Sequence, residues 1–127
     1  MTTRFDPGRH LVLVRARFRG PAAELTRTLA LDTGAAQTLI DSATLDAIGY
    51  NVGSRQTLIR LATVSGYEEA PTMVVDEVRA LGTSVPSLRV VVRDLPASVG
   101  FYGLLGLDFL RGRHLSIDFR RGEIELT

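Results

Sequence analysis

The 127-residue sequence contains no cysteine, which excludes disulfides, thiolate nucleophiles and cysteine-built zinc sites together. It also lacks a surplus of either charge, because 15 basic residues nearly cancel 14 acidic ones and leave a formal +1. Such a balance provides no field of the kind that holds nucleic acid or an anionic membrane, so neither is expected as a partner. Long apolar runs are missing as well. Near the start, Leu11 to Val14 is cut off by Arg15, far short of a signal peptide's apolar region or a membrane span, and the protein is read as soluble, intracellular and cytoplasmic. No linker, low-complexity segment or internal repeat divides the chain. It is therefore read as one domain over residues 1–127, with the polar residues 1–9 as a flexible tail.

What is present is mostly strand pattern. From Leu11 to Arg19, Val12, Val14, Ala16 and Phe18 alternate with Arg15, Arg17 and Arg19, so one face is apolar and the arginine face is solvated. Gly20-Pro21 breaks this strand and Thr26 to Leu31 returns as its hairpin partner. Thr57 to Thr63 and Thr72 to Arg79 read as a long hairpin joined through Val64-Ser65-Gly66-Tyr67, followed by a strand from Ser87 to Arg93. The last strands flank Arg120-Arg121-Gly122. Only two stretches suggest helix: Asp41 to Gly49, with Asp41 or Ser42 as N-cap and Gly49 as a stop, and Leu107 to Arg111.

One acid stands out. Asp32 follows the apolar Leu29-Ala30-Leu31 and precedes Thr33-Gly34, with Leu39 and Ile40 shortly after, so a carboxylate is carried to the edge of the core. Such a group needs hydrogen-bond donors or must keep its proton. Gly34, without a Cβ, allows a tight turn that aims its N–H at the carboxylate, and the Thr33 hydroxyl is available to fix the loop. A lone carboxylate so held is a general base, whereas water attack on an amide also needs an acid on the carbonyl. Two carboxylates sharing one proton supply both roles.

At these residues the chain resembles the retropepsin-like (retroviral-type) aspartic protease family. Asp32-Thr33-Gly34-Ala35 with Thr38-Leu39-Ile40 resembles the family's active-site signature, and Leu104-Leu105-Gly106 ahead of Asp108-Phe109-Leu110 resembles its second motif. The chain is similar in particular to cellular and bacterial members of the Gag-polyprotein type. The resemblance implies an all-β fold, a closed barrel of the acid-protease type with one or two short helices, active as a homodimer. It further implies Asp32 as the catalytic residue, Thr33, Gly34, Ala35 and Thr38 as loop support, Leu104, Leu105 and Gly106 as the structural second motif, and Ala36 as part of the substrate floor. The hairpin tip, Thr63, Val64, Ser65, Gly66 and Tyr67, is implied to be the flap over an extended peptide substrate. Two departures stand against the viral pattern: Ala36 where an acid is usual, and Leu107 where the arginine that pairs with it is usual.

The sequence has no second Asp-Thr-Gly or Asp-Ser-Gly, so a two-aspartate site requires a second copy of the chain across a two-fold axis. The function expected is hydrolysis of peptide bonds by water activated between two Asp32 carboxylates, without a cofactor or metal. The alternative is an inactive retropepsin-fold dimerisation or peptide-binding module. A small-molecule-binding barrel is a third class. A Ser-His-Asp triad through His114 lacks a Gly-x-Ser-x-Gly elbow. His10 and His114 are far apart, without cysteine or an acidic cluster at ligand spacing, and are read as surface residues. Asp32 with Asp108 as a carboxylate pair within one chain is conceivable, but Asp108 opens a short helix, where an acid has a structural reason to be.

Overall fold

Strand β2 (Leu13–Arg19) buries Val14, Ala16 and Phe18 and exposes Arg15, Arg17 and Arg19, as its period-2 pattern requires. Its arginines meet neighbouring acids at the surface, Arg17 with Glu24 and Arg19 with Glu77. β2 pairs antiparallel with β3 (Glu24–Leu31), which delivers the chain to Asp32. The computed structural model describes residues 1–53 and 57–127. Its remaining strands are β1 (Thr2–Arg4), β4 (Leu39–Ile40), β5 (Thr57–Thr63), β6 (Gly66–Ala80), β7 (Thr83–Val92), β8 (Gly103–Leu105), β9 (Leu115–Asp118) and β10 (Glu123–Leu126). Two short helices, α1 (Ser42–Ala47) and α2 (Leu107–Leu110), complete it with a 3₁₀ turn at Ala97–Val99.

Six strands close into a barrel in the order β2-β3-β8-β4-β7-β6, because β6 pairs back onto β2 through Ala16–Ala80 to Arg19–Glu77. Closure removes the exposed edges of those strands. β5 lies outside the ring, on β6. The interior is filled by Phe18, Leu29, Ile40, Val75, Val78, Val90, Leu105 and Phe109, all almost fully buried. α1 adds Leu45 to that core, and Ile48, its C-cap residue, joins it about one turn further on.

Three details depart from the sequence reading. First, β6 begins at Gly66 rather than Thr72. Glu68-Glu69-Ala70-Pro71 lacks strand-like alternation, yet its backbone pairs with Leu58 to Leu61 of β5 and so continues the hairpin. Second, the N-terminal residues are not simply a tail. Thr2–Arg4 pairs antiparallel with β10, which also pairs with β9, giving a second sheet in the order β1-β10-β9. Third, Asp41 sits at the α1 N-cap without a capping bond from its side chain. The cap comes from Asp94 instead, whose Oδ1 accepts from Ser42 N–H at 2.8 Å and Ser42 Oγ at 2.9 Å.

After α1, Tyr50 ties the chain to β6. Its hydroxyl donates to Asp76 Oδ1 at 2.8 Å and accepts from Asp76 N–H at 2.8 Å. Burial, reinforced by the bond donated to Asp76, pushes the phenol up from its ordinary 10.0 to about 12. A phenol that holds its proton more tightly when folded stabilises the fold fully below about pH 10 and loses that contribution as pH rises from 10 towards 12. Tyr50→Phe is expected to cost about 1–2 kcal/mol near neutral pH and to flatten the alkaline fall. Urea midpoints from pH 8 to 12 check this, and parallel curves for the two proteins would contradict it.

Candidate active site

The residues from Asp32 to Thr38 form a loop between β3 and β4, and both strands grip β8. Ala30 and Leu31 pair with Leu104 and Leu105 in parallel, while Leu39 and Ile40 pair with Leu104 and Gly103 antiparallel. The loop is therefore wrapped around the second motif. Asp32 N–H donates to Leu105 O at 2.9 Å, and Leu107 N–H donates to Ala35 O at 2.8 Å. Gly106 makes the closeness possible, since a Cβ there would stand 2.7 Å from Ala35 O and 2.8 Å from Gln37 C.

Asp32 is half-buried, and its Oδ1 accepts from Gly34 N–H at 2.8 Å. Among the described residues its Oδ2 has no hydrogen-bond partner, so that oxygen is open to a substrate, a water or a second carboxylate. Ala35 N–H donates back to Asp32 O at 3.2 Å and closes the turn. The Thr33 side chain is exposed, and among the described residues its hydroxyl bonds to nothing. Within one chain the loop is held by backbone groups and by the Asp32 and Asp108 carboxylates rather than by Thr33.

Gly34, Ala35, Ala36 and Gln37 form one wall of an open cleft of about 340 Å³. Leu39, Val91 and Leu104 form its apolar back, and the opposite wall comes from the β5–β6 hairpin. Of the expected flap residues, Thr63 lines this cleft, whereas Val64, Ser65, Gly66 and Tyr67 lie beyond it at the tip. Thr63 Oγ1 donates to Gly66 O at 3.1 Å across the tip, and the Arg60 guanidinium sits 4.4 Å from the Tyr67 ring centroid. Val64 is fully exposed, with nothing of its own fold to cover it.

Leu105 and Gly106 are buried and Leu104 half-buried, at the crossing of loop and barrel. Leu107 packs against the main core, and Ala36 is exposed on the cleft wall. The two positions that depart from the viral pattern thus hold no buried unpaired charge. His10 and His114 are both exposed. Among the described residues no group of three or more His, Asp or Glu is placed to hold a metal ion.

Two contacts of the site escaped the sequence reading. Arg93 pairs with Glu68 across the cleft, joining the end of β7 to the hairpin just below its tip. Both are solvent-accessible, so the pair shapes the wall more than it stabilises it. Asp108 does not face Asp32 as a second acid. Its Oδ1 accepts from Thr38 Oγ1 at 2.7 Å and its Oδ2 from Thr38 N–H at 2.9 Å. The one available signal was its position, two residues beyond Gly106.

A carboxylate presented on a glycine turn that wraps a Leu-Leu-Gly strand defines a class of protein. The sequence matches the aspartyl protease family over residues 14–109, and the chain belongs to that family. No curated protein matches it. Among solved structures it is similar to a retropepsin-like aspartic protease from Rickettsia conorii, with a TM-score of 0.72 and 17% identity over 99% of this chain and 89% of that one. This likeness establishes the retropepsin-like barrel as the fold. No helix among the described residues is long and apolar enough to cross a membrane.

Proposed function

We propose that the chain is an aspartic endopeptidase that works as a homodimer, with Asp32 of each copy facing the other across a two-fold axis. The observation that carries this reading is the Asp32 loop: one half-buried carboxylate, fixed by Gly34 N–H with its other oxygen open, beside an open cleft of about 340 Å³. The sequence contains one such loop, and the chemistry uses two carboxylates. In the dimer, the ionised member of the pair takes a proton from a water held between them. The protonated member donates to the scissile carbonyl, and the water oxygen bonds to its carbon. Collapse of the tetrahedral intermediate transfers a proton to the amide nitrogen, and the C–N bond breaks.

The peptide lies as an added strand between the loop wall and the hairpin, offering backbone groups to both. Residues Thr63 to Tyr67 close over it as a flap, with the exposed Val64 gaining cover on closure. The apolar cleft back of Leu39, Val91 and Leu104 favours an aliphatic or aromatic side chain. Digestion of a peptide library from acid to neutral pH tests the reading. Wild type is expected to cut and Asp32→Asn to be silent; cleavage by both, or by neither, overturns it.

A further inference from the structure

Asp108 stands at the start of α2, and only one of its hydrogen bonds serves its own helix, that from Phe109 N–H to Oδ1 at 2.8 Å. The others cross 70 residues of sequence to Thr38, the last residue of the Asp32 loop. Thr38 is completely buried. Its hydroxyl hydrogen goes to Asp108 Oδ1, and its oxygen accepts from Gly106 N–H at 3.2 Å, so the hydroxyl has one orientation. Both carboxylate oxygens therefore grip one residue, through its backbone and its side chain.

The loop's near end is fixed by Asp32 N–H on Leu105 O and its middle by Leu107 N–H on Ala35 O. Thr38 is the far end, and Asp108 is the charged group that holds it. Among the described residues no arginine or histidine pairs with Asp108, so its charge is met by N–H and O–H donors, three of them in all. An acid kept for the helix alone would need none of the Thr38 contacts.

We propose that Asp108 is a positioning residue for Asp32. By clamping Thr38, it sets the height and tilt of the loop from which the Asp32 carboxylate is presented, and this rests on the reading of Asp32 as the catalytic acid. The tolerance at stake is narrow, because a misplacement of about 1 Å costs as much as about a hundredfold in rate.

The test uses Asp108→Ala, Asp108→Asn, Thr38→Val and Thr38→Ser, with Val78→Ala as a control that opens a cavity in the barrel core on the β2–β6 side. Two readouts are taken on each: kcat and KM per folded dimer, and amide hydrogen exchange over Gly34 to Thr38. Asp108→Ala and Thr38→Val are expected to lower kcat on the order of ten- to a hundredfold while KM stays within about threefold. Thr38→Ser, which keeps the hydroxyl, stays near wild type. Asp108→Asn falls between, since its amide still accepts from Thr38 N–H but no longer accepts from the hydroxyl. Loop exchange speeds up in Asp108→Ala and Thr38→Val and not in the control.

Undiminished kcat in Thr38→Val, or an equal loss in Val78→Ala, overturns the proposal. Should Asp108→Ala fail to fold, the Thr38→Val and Thr38→Ser pair decides. Should wild type cleave no peptide, the protease reading fails, and loop exchange still judges the clamp: unchanged exchange in Thr38→Val overturns it.

Discussion

Asp32→Asn is expected to fold and to dimerise as well as wild type while losing at least about a thousandfold in cleavage, the scale seen when a reacting group is removed from a hydrolase. The structural half follows from geometry. The Asn Oδ1 replaces Asp Oδ1 as acceptor for Gly34 N–H, and the bond from residue 32 N–H to Leu105 O is untouched. In the proposed dimer the variant replaces both facing acids with neutral amides, which removes any like-charge crowding between them, so the dimer is not expected to weaken. The chemical half follows because an amide cannot take a proton from water at any working pH. The loss should hold across the acid-to-neutral range rather than shift with it, and activity within about tenfold of wild type would contradict the role given to Asp32.

Gly103→Ala should be the most damaging single methyl in the fold. Gly103 lies in β8 opposite Ile40, where β4 crosses it, and a Cβ there would fall 1.8 Å from Leu39 O and 2.8 Å from Leu39 C. Both are backbone atoms, so no side chain can swing aside. β4 would have to leave β8, taking with it the Thr38 end of the loop and the pairing of Leu39 and Ile40 with β7. A loss of more than about 3 kcal/mol, or failure to fold, is expected. Urea unfolding at fixed protein concentration measures it, and wild-type stability would disprove the crossing.

The strands of the barrel were legible where burial is decided locally. Val14, Ala16 and Phe18 alternate with arginines because β2 has one wet face, and Gly122 between Asp118 and Glu123 marked the last hairpin. The Asp32 loop was legible from Asp32-Thr33-Gly34 together with Leu104-Leu105-Gly106, whose glycine is demanded by the close approach of Ala35 O and Gln37 C. β1 was not, since Thr2–Arg4 has no apolar pattern and is a strand only because β10 offers it an edge. The start of β6 was missed for the same reason: Glu68 to Pro71 extends as the partner of β5. Asp94 capping α1 from 52 residues away, and Asp108 reaching Thr38 from 70, depend on tertiary proximity that no local pattern encodes.

The central claim is that two copies of Asp32 make one site, and mixing tests it most directly. Wild type and Asp32→Asn are combined in varied ratio, allowed to exchange subunits, and assayed at constant total protein. If each active dimer needs Asp32 from both copies, activity follows the square of the wild-type fraction, about a quarter at equal parts. Activity of about half at equal parts, as from chains acting independently, or about three-quarters, as from mixed dimers that keep full activity, would mean that one Asp32 suffices and would contradict the account.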